Sequence, residues 1–197
     1  MNKQEKWKDH YSNRAREEKW LARSVYKLEE IDRKHGIIRR GFRVLDLGCY
    51  PGSWSQYCLK KVGKRGEVVG LDIKAPDRIF AENFRFIKTD ILTLEPAWLT
   101  REVGKTDAVI SDLAPNTTGI SLVDTSQSLD LAAKALEIAL AVLKERGHFL
   151  CKVFEGEDFK AFRDRVSGCF YQIRLLRPAA VRKRSREVYV LGLELVR

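Results

Sequence analysis

The chain has 197 residues, of which 44% are hydrophobic, with 13 Gly, 5 Pro, 4 Cys and a formal net charge of +10. That length suits one domain with a full core, and the composition excludes collagen-like, low-complexity and disulfide-framework chains. Cys49, Cys58, Cys151 and Cys169 form no CxxC pair and neighbour no histidine cluster, so no metal site is expected and a reducing compartment is.

The charge sits at the two ends. Residues 1–40 hold 12 Lys/Arg against 7 Asp/Glu, and residues 174–186, RLLRPAAVRKRSR, hold 6 Lys/Arg and no acid. Two basic segments around a near-neutral middle fit a polyanion such as nucleic acid, or a solvated surface with no partner. Trp7, Tyr11, Trp20 and Tyr26 interleave with the amino-terminal bases, and packing is the expectation for most of them. The first twenty residues lack the apolar run of a signal peptide, and no run is long enough to span a membrane, so a soluble, cytoplasmic protein is expected.

In chain order, Leu21, Val25, Leu28 and Ile31 share one face of a helix expected over 1–35 and ended by Gly36. FRVLDLG at 42–48 reads as a buried strand running into a glycine turn, and SWSQYCLKKVG at 53–63 as a helix. GEVVGLDI, NFRFIKTD and DAVISDLAP supply three more strands. Leu129, Ala132, Leu136, Leu140 and Leu143 mark a long amphipathic helix before the strand FLCKVF. A helix near 157–166 and strands near 170–176 and 187–195 complete the chain. Alternating strands and helices predict an α/β protein with a mostly parallel sheet covered on both faces. The last two strands have no crossover helix between them and are expected to be antiparallel.

DLGCYPGSWSQ, residues 46–56, lies where the carboxyl edge of such a sheet binds ligands. Asp46 opens it, and Gly48 and Gly52 allow a tight turn and a close approach. The spacing is not GxGxxG, which argues against a dinucleotide. Asp72 ends the second strand, where a carboxylate can hold ribose hydroxyls; Asp90 and Asp112 follow the third and fourth. Each alone is more often a helix cap or turn acid, and it is the run of four strand ends carrying the glycine turn or an acid that points to a ligand. A carboxylate-lined edge repels phosphates and suits a nucleoside with a positive centre, of which S-adenosylmethionine is one.

RSVYKLEEID, VLDLGCYPGSWSQ, SDLAPN, KVFEG and RSREVYVL, in that order, resemble the FtsJ/RrmJ-type ribose 2′-O-methyltransferases of large-subunit ribosomal RNA. The likeness covers almost the whole chain. It implies a Rossmann-like, S-adenosylmethionine-dependent methyltransferase fold over 1–197, with 1–40 a basic helical extension and 41–197 the catalytic core. Cofactor contacts fall on Asp46, Gly48, Gly52, Trp54, Asp72, Asp90 and Asp112. The chain departs from the family's usual small Ala and Gly residues at Cys49, Tyr50 and Ser53.

Lys152 stands in an apolar strand, where an unpaired ammonium costs several kcal/mol. It is either a core lysine in an ion pair or a functional group. The resemblance implies a tetrad of Lys27, Asp112, Lys152 and Glu187. A lysine acts as a base only when neutral, which burial and a second positive charge both favour. On that reading Lys152 is the base, Lys27 supplies the charge, and the two carboxylates orient the amines. The resemblance also implies a ribosomal RNA partner, in the large subunit and at a uridine. A monomer is expected, and the basic ends put the RNA contacts on Arg23, Arg182, Lys183, Arg184 and Arg186. Transfer RNA, an mRNA cap, or a non-catalytic role in ribosome assembly are the alternatives.

Overall fold

The computed structural model describes residues 3–76, 78–182 and 185–196, with side chains from His10 onward. Two helices, α1 (Lys3–Glu17) and α2 (Val25–His35), precede the first strand. Strand β1 (Arg43–Leu47), helix α3 (Ser53–Val62), β2 (Glu67–Asp72), β3 (Phe84–Lys88), α4 (Pro96–Val103) and β4 (Thr106–Ser111) follow. Then come α5 (Ser121–Val142), β5 (Leu143–Phe154), α6 (Phe159–Ser167), β6 (Phe170–Leu176) and β7 (Glu187–Leu195).

The seven strands form one sheet in the order β3-β2-β1-β4-β5-β7-β6. Neighbours from β3 to β5 are parallel, while β7 runs antiparallel to both β5 and β6. Because the described residues between β6 and β7 hold no helix to carry the chain back across the sheet, β7 returns alongside, into the slot between β5 and β6.

Both faces are buried, which is why the central strands read as continuous apolar runs. Leu45, Val109, Phe149 and Val190 pack against Leu99 of α4 and Leu136 of α5 on one face. On the other, Val44, Ile110, Leu150 and Leu191 pack against Leu28 of α2 and Cys58 of α3. Successive strand residues alternate faces. Asp46, Lys152 and Tyr189 therefore share the face of Val44, Leu150 and Leu191, under α2 and α3.

Three expectations need correction. The helix expected over 1–35 is two helices. Lys19 turns the chain at φ 60, the Trp20 amide bonds to Ala15 O, and the Leu21 amide donates to Gln56 Oε1 of α3 at 2.9 Å. The break is fixed by the local Trp20 bond and the tertiary bond to α3, with no Gly or Pro to announce it, and Leu21 falls outside α2. Leu143 opens β5 instead of closing α5. The sequence reading also passed over α4, although Pro96 at its start, Leu99 and Val103 one turn apart, and Gly104 after it are ordinary helix signals. Gly36 does end α2, in the left-handed conformation at φ 63.

Aromatic packing is borne out where side chains are described. The Tyr11 and Tyr26 rings lie 5.4 Å apart, Trp20 sits 6.4 Å from Tyr57, and Trp20 Nε1 donates to Glu18. The Trp7 side chain lies outside the described residues.

Candidate active site

The strand register builds the site. Lys152 on β5 stands opposite Tyr189 on β7, and Phe154 opposite Glu187. Glu187 and Tyr189, two residues apart, project to the same face. Lys27 comes down from α2, which covers that face, and Asp112 follows the end of β4 next to β5.

Two ion pairs result. Lys152 Nζ lies 3.0 Å from Asp112 Oδ1 and donates to the Asp112 carbonyl at 2.6 Å. Lys27 Nζ donates to Glu187 Oε1 at 2.5 Å. The Tyr189 hydroxyl joins them, 2.7 Å from Asp112 Oδ1 and 2.9 Å from Glu187 Oε1. With one proton it donates to one carboxylate at a time. Burial raises the proton affinity of Asp112, but the charges of Lys152 and Lys27 and the hydrogen bonds from Tyr189 and Lys152 outweigh it, leaving its pKa lowered. Asp112 is thus a carboxylate. Tyr189 is held protonated, its pKa pushed well above 10 by burial and by both carboxylates.

Tyr189 is the residue that sequence reasoning missed. The signal was present, since Glu187 and Tyr189 alternate on one strand face, but nothing in the sequence showed that the tyrosine would face Lys152. Trp54, expected as a cofactor contact, is buried beneath it. Its ring lies 6.0 Å from that of Tyr189, and its Nε1 donates to Ser24 O at 2.9 Å.

Next to the tetrad lie the ends of β1 and β2. Asp46 is fully buried; Ser55 donates to its Oδ2 at 2.6 Å, and Oδ1 has no partner among the described residues. Burial raises the Asp46 pKa to about 7, helped by the charges of Asp112 and Asp72 and opposed by Ser55. Asp72 accepts the amides of Tyr50 and Lys74, both at 2.9 Å, and so holds the loops after β1 and β2. Gly48 and Gly52 have φ of 78 and 115, a region other residues rarely adopt. Leu113 covers Gly48, and Ile79, Leu21 and Pro76 cover Gly52. Asp90 is exposed two residues beyond β3, where its Oδ1 accepts the Leu92 amide and caps a 3-10 turn.

The unusual residues of the glycine loop have local roles. Cys49 is buried with its sulfur against Gly70, Tyr50 lies under the Lys74 ammonium at 5.6 Å, and Ser53 Oγ is 3.0 Å from Ser24 Oγ.

The edge fits the nucleoside cofactor expected of it. It offers a buried carboxylate oxygen still lacking a donor and a second carboxylate at the end of β2. Either can face an amine, a sulfonium or ribose hydroxyls, and neither favours a phosphate.

The two basic segments converge beside the tetrad. Glu30 of α2 accepts the Ala179 amide at 2.7 Å, strapping the segment after β6 onto the amino-terminal helices. Burial lowers the Arg23 pKa, the charge of Arg182 lowers it further, and Glu187 opposes both. Arg186 adjoins Glu187 in sequence and its guanidinium bonds to Ser121 Oγ. Lys183 and Arg184 lie outside the described residues.

Comparison with known proteins agrees with this construction. A family model described as FtsJ-like methyltransferase matches residues 20–195. A protein called ribosomal RNA large subunit methyltransferase E, from Desulfatibacillum aliphaticivorans, is 46% identical over 187 residues, covering 94% of this chain and 90% of its own. A crystal structure from Plasmodium falciparum, provisionally described as a ribosomal RNA methyltransferase, has a TM-score of 0.79 at 25% identity, covering 89% of this chain and 98% of that one. Fibrillarin from Aeropyrum pernix, crystallised with S-adenosyl-L-methionine, shares the fold with a TM-score of 0.58 at 17% identity, over 80% of this chain and 68% of its own. The family match begins at Trp20, ahead of α2, and ends at Leu195, the last residue of β7, so it takes in every element that builds the site: the chain belongs to the FtsJ-like methyltransferase family.

Proposed function

We propose that this protein is a single-domain enzyme that uses S-adenosylmethionine to methylate a ribose 2′-hydroxyl, that of a uridine, in large-subunit ribosomal RNA in the cytoplasm, acting as a monomer. The observation that carries this reading is the placement of two lysine–carboxylate pairs, joined by Tyr189, beside the carboxylate-lined edge of β1 and β2. Among the described residues no helix is long and apolar enough to cross a membrane.

S-adenosylmethionine, when bound, supplies an electrophilic methyl group on a sulfonium. The residues that would hold it are Asp46, Asp72 and Asp90, with Gly48 and Gly52 shaping the turn and Trp54 and Asp112 behind them. The chain's own task is to aim a weak nucleophile and take its proton. Lys152, in its neutral form, would accept the 2′-hydroxyl proton as the methyl passes to the oxygen and the sulfonium leaves as a neutral thioether. The ammonium so formed is received by Asp112 Oδ1 and the Asp112 carbonyl, the pairing seen in the structure. Lys27, fixed by Glu187, sets positive charge beside the oxygen as it becomes anionic. Tyr189 lies between the two carboxylates and holds one of them at a time by its single proton. Arg23, Arg182, Lys183, Arg184 and Arg186 contact the RNA, whose phosphates the basic ends favour.

The test is incubation with unmethylated large-subunit ribosomal RNA and labelled S-adenosylmethionine, then digestion to nucleosides and mass spectrometry. Label in a 2′-O-methyl nucleoside is expected. Label in a base methyl, or in transfer RNA alone, would overturn the reading.

A further inference from the structure

Beside the tetrad lies a pocket of about 290 Å³ that the methyl-transfer chemistry does not use. It is lined by Gly119 just before α5, Ser121, Asp124 and Thr125 at its start, Phe154 at the end of β5, and Ser185 and Arg186 just before β7. Its wall is continuous with the tetrad. Phe154 pairs with Glu187 across the strands and lies two residues beyond Lys152. The Glu187 amide donates to Ser185 Oγ at 3.1 Å, and the Glu155 amide donates to Arg186 O at 2.9 Å, so the two residues before β7 are clamped at the mouth of the site.

The pocket is also preformed. Asp124 accepts the Thr118 amide and hydroxyl at 2.7 and 2.9 Å and the Gly119 amide at 3.3 Å, while the Thr125 hydroxyl is spent on the carbonyls of Ser121 and Leu122. These bonds fix the rim. Ser121, Ser185 and Arg186 supply the polar lining beside Phe154, with the Arg186 guanidinium on Ser121 Oγ and the Glu187 amide on Ser185 Oγ. An aromatic wall with a guanidinium and hydroxyls is the chemistry that takes an unstacked nucleobase.

We propose that this pocket holds the base of the nucleotide being methylated, an inference that rests on the ribose 2′-O-methylation reading above. The base and the 2′-oxygen leave adjacent carbons of one ribose, so a hydroxyl beside Lys152 brings its own base to a neighbouring wall of the site. Phe154 and Arg186 are that wall. A base seated there has left its helix stack, so the target nucleotide is unpaired or is turned out of its duplex on binding.

The experiment fills the pocket from its exposed rim with Ser121→Phe. Once the methylated nucleotide is mapped, wild type and variant are compared on two RNAs, one intact and one lacking only the base at that nucleotide. Wild type should lose at least ~10-fold in kcat/KM when the base is removed, the size of one base–aromatic stacking interaction. The variant should lose as much on intact RNA and lose nothing more on the abasic one. Cofactor affinity, read by calorimetry, should be unchanged. Losses that multiply would mean that the substitution and the base act independently, and the proposal would fail. It would also fail if the variant behaved as wild type on both RNAs, or if its activity became insensitive to loss of the neighbouring base instead. Wild-type enzyme that methylates no ribose on intact RNA would instead overturn the underlying function.

Discussion

Lys152 and Tyr189 face each other across β5 and β7, and the Tyr189 hydroxyl, 2.7 Å from Asp112 and 2.9 Å from Glu187, ties the Lys152 pair to the Lys27 pair. The four charged residues come from a helix, the end of a parallel strand and two antiparallel strands. A buried tyrosine makes them one network, and its parts should respond differently to substitution.

Lys152→Ala should reduce single-turnover methyl transfer by at least ~100-fold, the lower range for removing a general base. Cofactor and RNA affinities should hold. A near-normal rate would remove Lys152 from the mechanism.

Tyr189→Phe keeps the ring that packs on Trp54 and deletes the hydroxyl that both carboxylates share. Hydrogen bonds to charged groups contribute about 1.5–3 kcal/mol, so kcat should fall by ~10–100-fold. KM for the cofactor should not move. A rise in that KM with kcat preserved would instead place Tyr189 in the cofactor site.

Asp46 should give the protein a pH signature. Its folded-state pKa, about 7, exceeds the ordinary 3.8. Between those values the folded carboxyl keeps a proton that the unfolded chain has lost, so this residue's contribution to stability falls as pH rises through the window and is fully lost above 7. A cationic ligand favours the ionised form, so affinity for S-adenosylmethionine should rise as pH passes upward through 7. Asp46→Asn should flatten both the Tm profile without cofactor and the calorimetric affinity profile. An affinity dependence that survives the substitution would assign it elsewhere.

The convergence of Arg23 with Arg182 predicts a shared electrostatic role. Changing both to Ala should weaken ribosomal RNA binding. The slope of log K against log salt should become shallower by about 0.7 for each single-strand phosphate that the variant no longer neutralises. An unchanged slope would return both arginines to a solvated surface.

Most of what could be read along the chain was local. Short apolar runs marked the central strands, because a strand buried on both faces is apolar on both, and β6 and β7 were placed within the bounds found. The motifs named the four tetrad residues in order. The two basic ends were plain from composition. Other features depended on contacts between residues far apart in the chain. The break between α1 and α2 is set by Trp20 and Leu21 docking on α3, and helix periodicity carries no record of that. Asp72 and Asp90 read alike as strand-end acids, yet one holds two loops together and the other caps an exposed turn. Tyr189 could be read as one more apolar strand residue until the antiparallel register set it against Lys152. Nor did residue spacing reveal that Glu30 would strap Ala179 and draw the basic ends to one opening. Hydrophobic pattern and turn chemistry act between neighbours, so the order of residues records them. Register, strand order and helix docking set which distant side chains meet, and those were fixed only when the chain folded.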